Sequence, residues 1–179
     1  MRLACLALLS ALAAFPASAK VVDAKNNGFK VENSVEIAAA PTKVWAALVQ
    51  PGRWWNREHS WFGAPARDFK LDLRPGGCFC EIGPNGSALH MTVAFVQPNA
   101  RLDLSGALGP LHQEGVFGGL VFKLEPAGAG ATKLTATYTI GGYLTGGGDA
   151  WATPVDGVIR EQVERLERLV ETGSPEPKK

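Results

Sequence analysis

The sequence predicts an α+β domain in which a curved antiparallel sheet is wrapped on one long C-terminal helix, with two short helices after the first strand. Two observations carry this. Residues 69–95 hold one apolar face at period two through two tight turns: Phe69, Leu71, Leu73, Cys78, Cys80, Ile82, Leu89, Met91, Val93 and Phe95. A repeat of two over that length means strands. Residues 151–171 instead space Trp151, Val155, Val158, Ile159, Val163, Leu166, Leu169 and Val170 by threes and fours, which is one stripe of a helix. A sheet with one greasy face must be covered by something, and this helix is the natural cover.

Taken in order, residues 1–19 read as a signal peptide: Arg2, an apolar run over 3–15, then the small residues Ala17-Ser18-Ala19. The run is shorter than the roughly 20 residues of a spanning helix. Export to the periplasm or the exterior is expected, with a mature chain that begins at Lys20. Residues 20–28 are polar and read as a flexible lead-in. Residues 29–37 alternate Phe29, Val31, Asn33, Val35 and Ile37 with Lys30, Glu32, Ser34 and Glu36, which makes the first strand. Pro41 opens a short helix over 41–50 that carries Val44, Trp45, Leu48 and Val49 and stops at Pro51-Gly52. One more turn over 53–56 leads to a loop over 57–65 that holds His59, Trp61 and Phe62.

In the meander, Arg74-Pro75-Gly76-Gly77 suits a type II turn and pairs Leu73 with Cys78. At Gly83-Pro84-Asn85-Gly86 an even loop pairs Cys80 with Leu89 and keeps all ten apolar residues on one face, whereas an odd loop would flip the third strand. The even loop is the reading adopted. It leaves Asp68, Lys70, Asp72, Arg74, Glu81, His90 and Thr92 on the polar face. A turn at 97–100 then sets Phe95 opposite Leu102 in a strand over 101–105. Residues 106–115 form a rim loop with His112 and Glu114, and strands follow over 116–124 and 133–140. Glycine is too dense over 141–148 for regular structure. Gly173 ends the last helix, residues 173–179 form a polar tail, and residues 29–172 make one domain.

The 179 residues carry 18 Lys and Arg against 17 Asp and Glu. Without Arg2 the two counts are equal, so neither a nucleic-acid partner nor an anionic membrane surface is implied. Cys78 and Cys80 are neighbours on one strand face and are expected to be reduced core residues. No metal is expected, because a soft-metal site needs three or four converging ligands and His90 is placed on the opposite face. Cofactor motifs are absent from the sequence: Gly146-Gly147-Gly148 is a flexible link without the residues of a phosphate loop.

The order of elements resembles the START-like (SRPBCC, Bet v 1-like) helix-grip superfamily. Pro41-Thr42-Lys43-Val44-Trp45-Ala46-Ala47-Leu48 is similar to its P-x-x-V-W-x-x-L opening, and Leu73-Arg74-Pro75-Gly76-Gly77 is similar to the R-x-G-G turn of its Hsp90-activator-homology and polyketide cyclase/dehydrase branches. Residues 116–124, Thr132-Lys133-Leu134-Thr135 and Trp151 follow in matching order. The resemblance implies a ligand cavity between the last helix and the sheet. Two departures limit it. The signal peptide argues against a cytoplasmic ATP-dependent chaperone partner, and the glycine-rich stretch 141–149 leaves no catalytic residue of the family to carry over there.

Expected cavity walls are Leu71, Cys80, Met91, Phe122, Tyr138, Trp151, Val155 and Ile159, with Trp55, Trp61 and Phe62 at the mouth. Tyr138 and His112 are the polar groups expected to orient a ligand. His59, His112 and Glu114 are the catalytic candidates, as an acid–base set at the mouth. The reading favoured is an exported binding or carrier domain for a hydrophobic small molecule. The alternatives are a cofactor-independent cyclase, dehydratase or hydrolase that uses the loop histidines, and a folding-assistance or protein-interaction module.

Overall fold

The computed structural model describes residues 18–63 and 68–178. Its elements are β1 (Ser18–Lys25), β2 (Gly28–Ile37), α1 (Pro41–Leu48), β3 (Asp68–Leu71), β4 (Cys78–Ile82), β5 (Ser87–Gln97), β6 (Arg101–Gly106), β7 (Gly115–Pro126), β8 (Thr132–Tyr143) and α2 (Gly148–Thr172). Short 3₁₀ turns occupy Pro51–Arg53, Arg57–His59 and Gly109–Gln113. The eight strands form one antiparallel curved sheet in the order β1-β2-β8-β7-β6-β5-β4-β3. Each strand therefore pairs with its chain neighbour, except where the first hairpin joins the last strand. α2 packs on β2, β1 and β8 and buries Ile159, Val163, Leu166, Leu169 and Val170. This is the helix-grip fold anticipated from the sequence.

Several local expectations are corrected. The polar lead-in is a strand: β1 pairs with β2 from Ser18↔Ser34 to Lys25↔Gly28 around the two-residue turn Asn26-Asn27. An edge strand needs little apolar sequence because one side of it faces water, so its polarity concealed it. The predicted signal segment, residues 1–19, lies outside the described residues except for the backbone of Ser18 and Ala19. α2 begins at Gly148, three residues earlier than the apolar stripe shows, and β8 runs on to Tyr143. A Cβ at Gly148 would stand 2.1 Å from the Gly28 carbonyl oxygen and 2.3 Å from that of Lys25. Only glycine lets the helix start against the first hairpin. The tail is also tied down: Arg165 donates to Glu176 at 2.6 and 3.0 Å, and Arg168 donates to the Pro175 carbonyl.

The meander carries the largest correction. The Arg74–Gly77 turn forms, with Gly77 N–H bonded to the Arg74 carbonyl at 2.7 Å and Gly76 at φ +77°. The hairpin around it is longer than expected, however. Asp72, not Leu73, stands against Cys78 (N···O 3.0 Å), while Gly76 and Gly77 bond to Val93 of β5. The connection is thus odd, and one slipped residue turns β4 over. Phe79 and Glu81 face inward at 3% and 0% exposure, while Cys78, Cys80 and Ile82 are half-buried on the other side.

The even loop at 83–86 does form, and Cys80 pairs with Leu89 as expected, but both lie on the outer face. Two bulges then reset β5. His90 is the extra residue between Cys80↔Leu89 and Phe79↔Met91, and Ala94 is the extra residue between Val93↔Leu104 and Phe95↔Asp103. A bulge changes which side chains face in. His90, Met91 and Val93 are therefore buried, whereas Leu89 and Phe95 are exposed. Leu102 pairs with Val96 rather than Phe95, and the Arg101 guanidinium lies 5.6 Å from the centre of the Phe95 ring. Cys78 and Cys80, expected to be reduced core thiols, form a disulfide. The two residues lie on the outer side of the strand, at a Cα–Cα distance of 5.3 Å.

Candidate functional site

A cavity of about 290 Å³ opens between α2 and the sheet. One wall is α2, through Trp151, Val155, Val158 and Ile159. The opposite walls are residues 55 and 58–61 on one side and Leu108, Gly109, Pro110 and Leu111 on the other. The floor is formed by His90 of β5 and Tyr138 of β8. Most of this lining is aromatic or aliphatic, and the polar groups are few: Glu58, His59, Ser60, His90 and Tyr138.

The mouth loop is held at both ends. Pro51 ends α1 and starts a 3₁₀ turn that delivers Trp54 and Trp55 into an aromatic cluster. The Trp55 ring lies 5.2 Å from Phe79 and 6.2 Å from Phe69, and its indole N–H donates to the His59 carbonyl at 3.2 Å. The Asn56 side-chain oxygen caps the next turn by accepting from Glu58 N–H at 3.0 Å. Asn56 then reaches α2 twice: its backbone N–H donates to Gln162 Oε1 at 2.8 Å, and its side-chain amide donates to Glu161. His59 Nε2 meets Glu161 Oε2 at 2.8 Å. At the other end of the loop, Glu81 Oε2 accepts from Trp61 N–H at 3.0 Å and Glu81 Oε1 from Phe62 N–H at 3.1 Å. The Phe62 ring packs over Gly83, where a Cβ would stand 2.4 Å from it.

Glu81 also binds His90, with Nε2···Oε2 at 3.1 Å, and both side chains are buried. The His90 ring stacks on Phe69 at 5.7 Å and lies 5.2 Å from Phe79. Burial pushes the Glu81 carboxyl up, but the hydrogen bonds from Ser60, Trp61 N–H and Phe62 N–H, with the His90 ring, hold it below the usual carboxylate range. For His90 burial wins: desolvation drives the imidazole below its ordinary value against the pull of Glu81, so the pair is a carboxylate beside a neutral imidazole. At the rim, burial pushes Glu161 up, and the Asn56 and His59 hydrogen bonds more than reverse it. Tyr138 is fully buried. Its hydroxyl oxygen accepts the Leu108 N–H at 2.8 Å, and burial pushes its pKa well above the ordinary phenol value.

Of the residues expected to line the cavity, Trp55, Trp61, Tyr138, Trp151, Val155 and Ile159 do so. Leu71 and Phe122 instead border a residual void of about 10 Å³ deeper in the core, with Trp54 and Phe79. Met91 is in the packed core at 1% exposure, Phe62 packs on Gly83, and Cys80 is on the outer face. The expected convergence of His59, His112 and Glu114 does not occur. His112 is exposed and bonds to the His90 carbonyl through Nε2 at 3.2 Å, and Glu114 accepts from Thr145 N–H at 2.8 Å. His59 finds its carboxylate 102 positions along the chain, at Glu161. The residues that sequence reasoning missed are His90, Glu81, Glu161 and the 108–111 segment. For the first two a signal existed: a carboxylate and an imidazole nine positions apart on adjoining strands.

A profile of the polyketide cyclase/dehydrase and lipid transport family matches residues 28–171. A comparison with curated proteins finds no match. Among solved structures, a conserved protein of unknown function from Enterococcus faecalis is 15% identical, with a TM-score of 0.59 over 91% of this chain and 82% of that one. CalU16 from Micromonospora echinospora is 16% identical, with a TM-score of 0.58 over 90% and 87%. A protein from Rhodobacter sphaeroides is 22% identical, with a TM-score of 0.57 over 83% and 95%. At these identities the likeness is one of fold.

Proposed function

Because the chain belongs to the polyketide cyclase/dehydrase and lipid transport family, for which family and fold point to ligand binding or a cyclase-type role, we propose that it is an exported domain that binds a small hydrophobic molecule. The observation that carries this is the cavity itself. At about 290 Å³ it stands at the small end of ligand sites, which run from about 300 to 1,000 Å³. That size selects a molecule of one or two rings over a long lipid chain. Trp55, Trp61 and Trp151 provide flat apolar surface for such rings, and Tyr138 provides a hydrogen bond at the floor.

A protein-docking role has less support. On the outer face of the meander Leu89 and Phe95 are exposed, but they stand six positions apart and Arg101 covers the Phe95 ring. Two separated side chains do not make a docking patch on that face of the meander. Among the described residues no helix is long and apolar enough to cross a membrane. Export rests on the leader-like composition of residues 1–19. The Cys78–Cys80 disulfide is compatible with it, since disulfides persist in oxidising compartments.

Native mass spectrometry of protein purified from its own host tests the binding reading. A copurified small apolar molecule is expected, displaced by naphthalene. Protein that carries nothing and gives no tryptophan quenching with a panel of one- and two-ring compounds overturns it. N-terminal sequencing of the same material is expected to begin at Lys20, and Met1 retained in exported protein refutes cleavage.

A further inference from the structure

We propose that His90, oriented by the buried Glu81 carboxylate, is a general base facing the cavity, and that with the Tyr138 hydroxyl it enolises small ring ketones. The inference rests on the binding reading above and adds a reaction to it.

The argument starts from a cost. A container for apolar molecules needs neither a carboxylate nor an imidazole beneath it, and burying a charged carboxylate is expensive unless its lone pairs are used. Glu81 is wholly buried, and its oxygens accept from Trp61 N–H, Phe62 N–H and His90 Nε2. A carboxylate only accepts, so Nε2 carries the hydrogen. In a neutral ring Nδ1 then keeps its lone pair, and burial favours the neutral ring. Among the described residues Nδ1 has no hydrogen-bond partner, and the ring lines the cavity. A carboxylate that fixes one nitrogen of an imidazole, with the other nitrogen open to a pocket, is an oriented base.

The second group lies at the same end of the cavity. Gly106 pairs with Met91, the residue after His90. Two positions beyond Gly106, the Leu108 N–H donates to the Tyr138 hydroxyl at 2.8 Å. With its oxygen occupied as an acceptor, the hydroxyl has its own hydrogen left to donate, and among the described residues nothing takes it. Burial keeps that proton on the oxygen at neutral pH. One acceptor and one donor thus serve a single apolar site, a pairing that matches a carbonyl compound with hydrogen on the adjacent carbon.

The reaction balances without a cofactor. His90 Nδ1 takes a proton from the carbon beside the carbonyl, and the C–H electron pair becomes a C=C bond. The carbonyl π pair moves to oxygen, where Tyr138 O–H stabilises it by hydrogen bonding. Return of the proton to carbon regenerates the ketone and the neutral imidazole. The groups facing His90 are Glu81 from β4, His112 from the 109–113 turn and the Phe69 and Phe79 rings. Tyr138 shares the floor with His90, and Glu58 and His59 line the mouth.

The test uses 2-tetralone in D₂O with the full-length protein. Binding is read from quenching of the cavity tryptophans, and exchange of the hydrogens beside the carbonyl for deuterium is read by proton NMR. General-base groups contribute about 100- to 10,000-fold, so exchange at least about 100-fold above buffer is expected. It should rise with pH to a plateau as the imidazole becomes neutral. His90→Phe, and His90→Asn, which still donates to Glu81 but has no basic nitrogen, should both lose the exchange when each is saturated with 2-tetralone, as read by tryptophan quenching. Tyr138→Phe should slow it, and saturating naphthalene should block it. If 2-tetralone binds but exchange equals buffer, or survives in a folded His90 variant, the base proposal is overturned and the binding reading stands. If neither 2-tetralone nor naphthalene binds, both fall.

Discussion

Glu81→Ala is the substitution that asks most of the structure. The carboxylate accepts hydrogen bonds at 3.0 and 3.1 Å from two backbone N–H groups of the mouth loop and one at 3.1 Å from His90. Hydrogen bonds to a charged group contribute about 1.5–3 kcal/mol each, but three cannot simply be summed. Removing the side chain also removes the cost of burying it, and water entering from the cavity re-solvates part of what is left. Leaving a buried donor without its acceptor costs about 1–3 kcal/mol, so the two loop N–H groups and the His90 N–H, partly re-solvated, set an expected loss of about 3–5 kcal/mol. With an m-value of about 2 kcal/mol/M, the urea midpoint at pH 7 should fall by about 1.5–2.5 M at unchanged m. Glu81→Gln keeps one acceptor oxygen and should cost less, about 1–2 kcal/mol.

The pH dependence adds a second reading of the same residue. The folded pKa of Glu81 is lowered, so its stabilisation is complete above the unfolded value of about 4.3 and is lost as pH falls through the folded value. His90 is lowered as well, so its contribution is complete above about 6.5 and is lost as pH falls through its folded value. Both weaken the protein toward acid, and the lower limb should flatten in Glu81→Gln. A Glu81→Ala variant within about 1 kcal/mol of the parent would mean that the carboxylate pins nothing.

Val155→Trp, on the cavity wall, should abolish binding of naphthalene in a fluorescence titration while the circular dichroism is retained. Leu169→Ala, buried at 6% exposure and away from the cavity, should cost about 2–5 kcal/mol in denaturation and leave binding intact. His59→Ala removes a half-exposed partner of Glu161 at the rim. It should change stability by less than about 1 kcal/mol, and stopped-flow release of a bound probe should quicken by no more than about fivefold. Cys78→Ser opens a ring of only three residues, so the loss by denaturation should be about 1–2 kcal/mol with binding unchanged. A larger loss would give the disulfide a structural part that its short span does not explain.

How much of this was legible in the sequence differs by element. α2, α1 and the last two strands were readable because their apolar stripes run unbroken against one partner. Of the eight expected wall residues and three expected mouth aromatics, six line the cavity: Trp55, Trp61, Tyr138, Trp151, Val155 and Ile159. Trp151, Val155, Ile159 and Tyr138 sit on elements whose phase was right. Cys80, Leu71 and Phe122 depended on the meander's register or on where the helix leaves the sheet. β1 escaped because an edge strand needs no apolar alternation. The His59–Glu161 pair escaped because its two halves lie 102 residues apart, and no local pattern carries that distance.

The missed floor of the cavity has one physical origin. Alternation along β5 places Leu89 and Met91 on one face and His90 on the other, and an unbulged strand would keep that order. The bulge at His90 breaks it: Leu89 stays outside with Cys80, and His90 and Met91 both turn inward. The slipped β3–β4 hairpin does the same for Glu81, which pairs with Phe69 on the inner face. Neither irregularity would bring a polar pair inside by itself. A bulge alone would bury His90 without the carboxylate that fixes its tautomer, and the slip alone would bury Glu81 with only the donors of the mouth loop. The two together place an acceptor nitrogen beside an apolar cavity, at a cost in desolvation that simple packing does not require. Bulges are over-represented where a sheet must re-aim a side chain. In this sheet the re-aimed side chain sets an imidazole on the cavity floor beside Tyr138, whereas the other imidazole of the lining, His59, is held at the rim by Glu161.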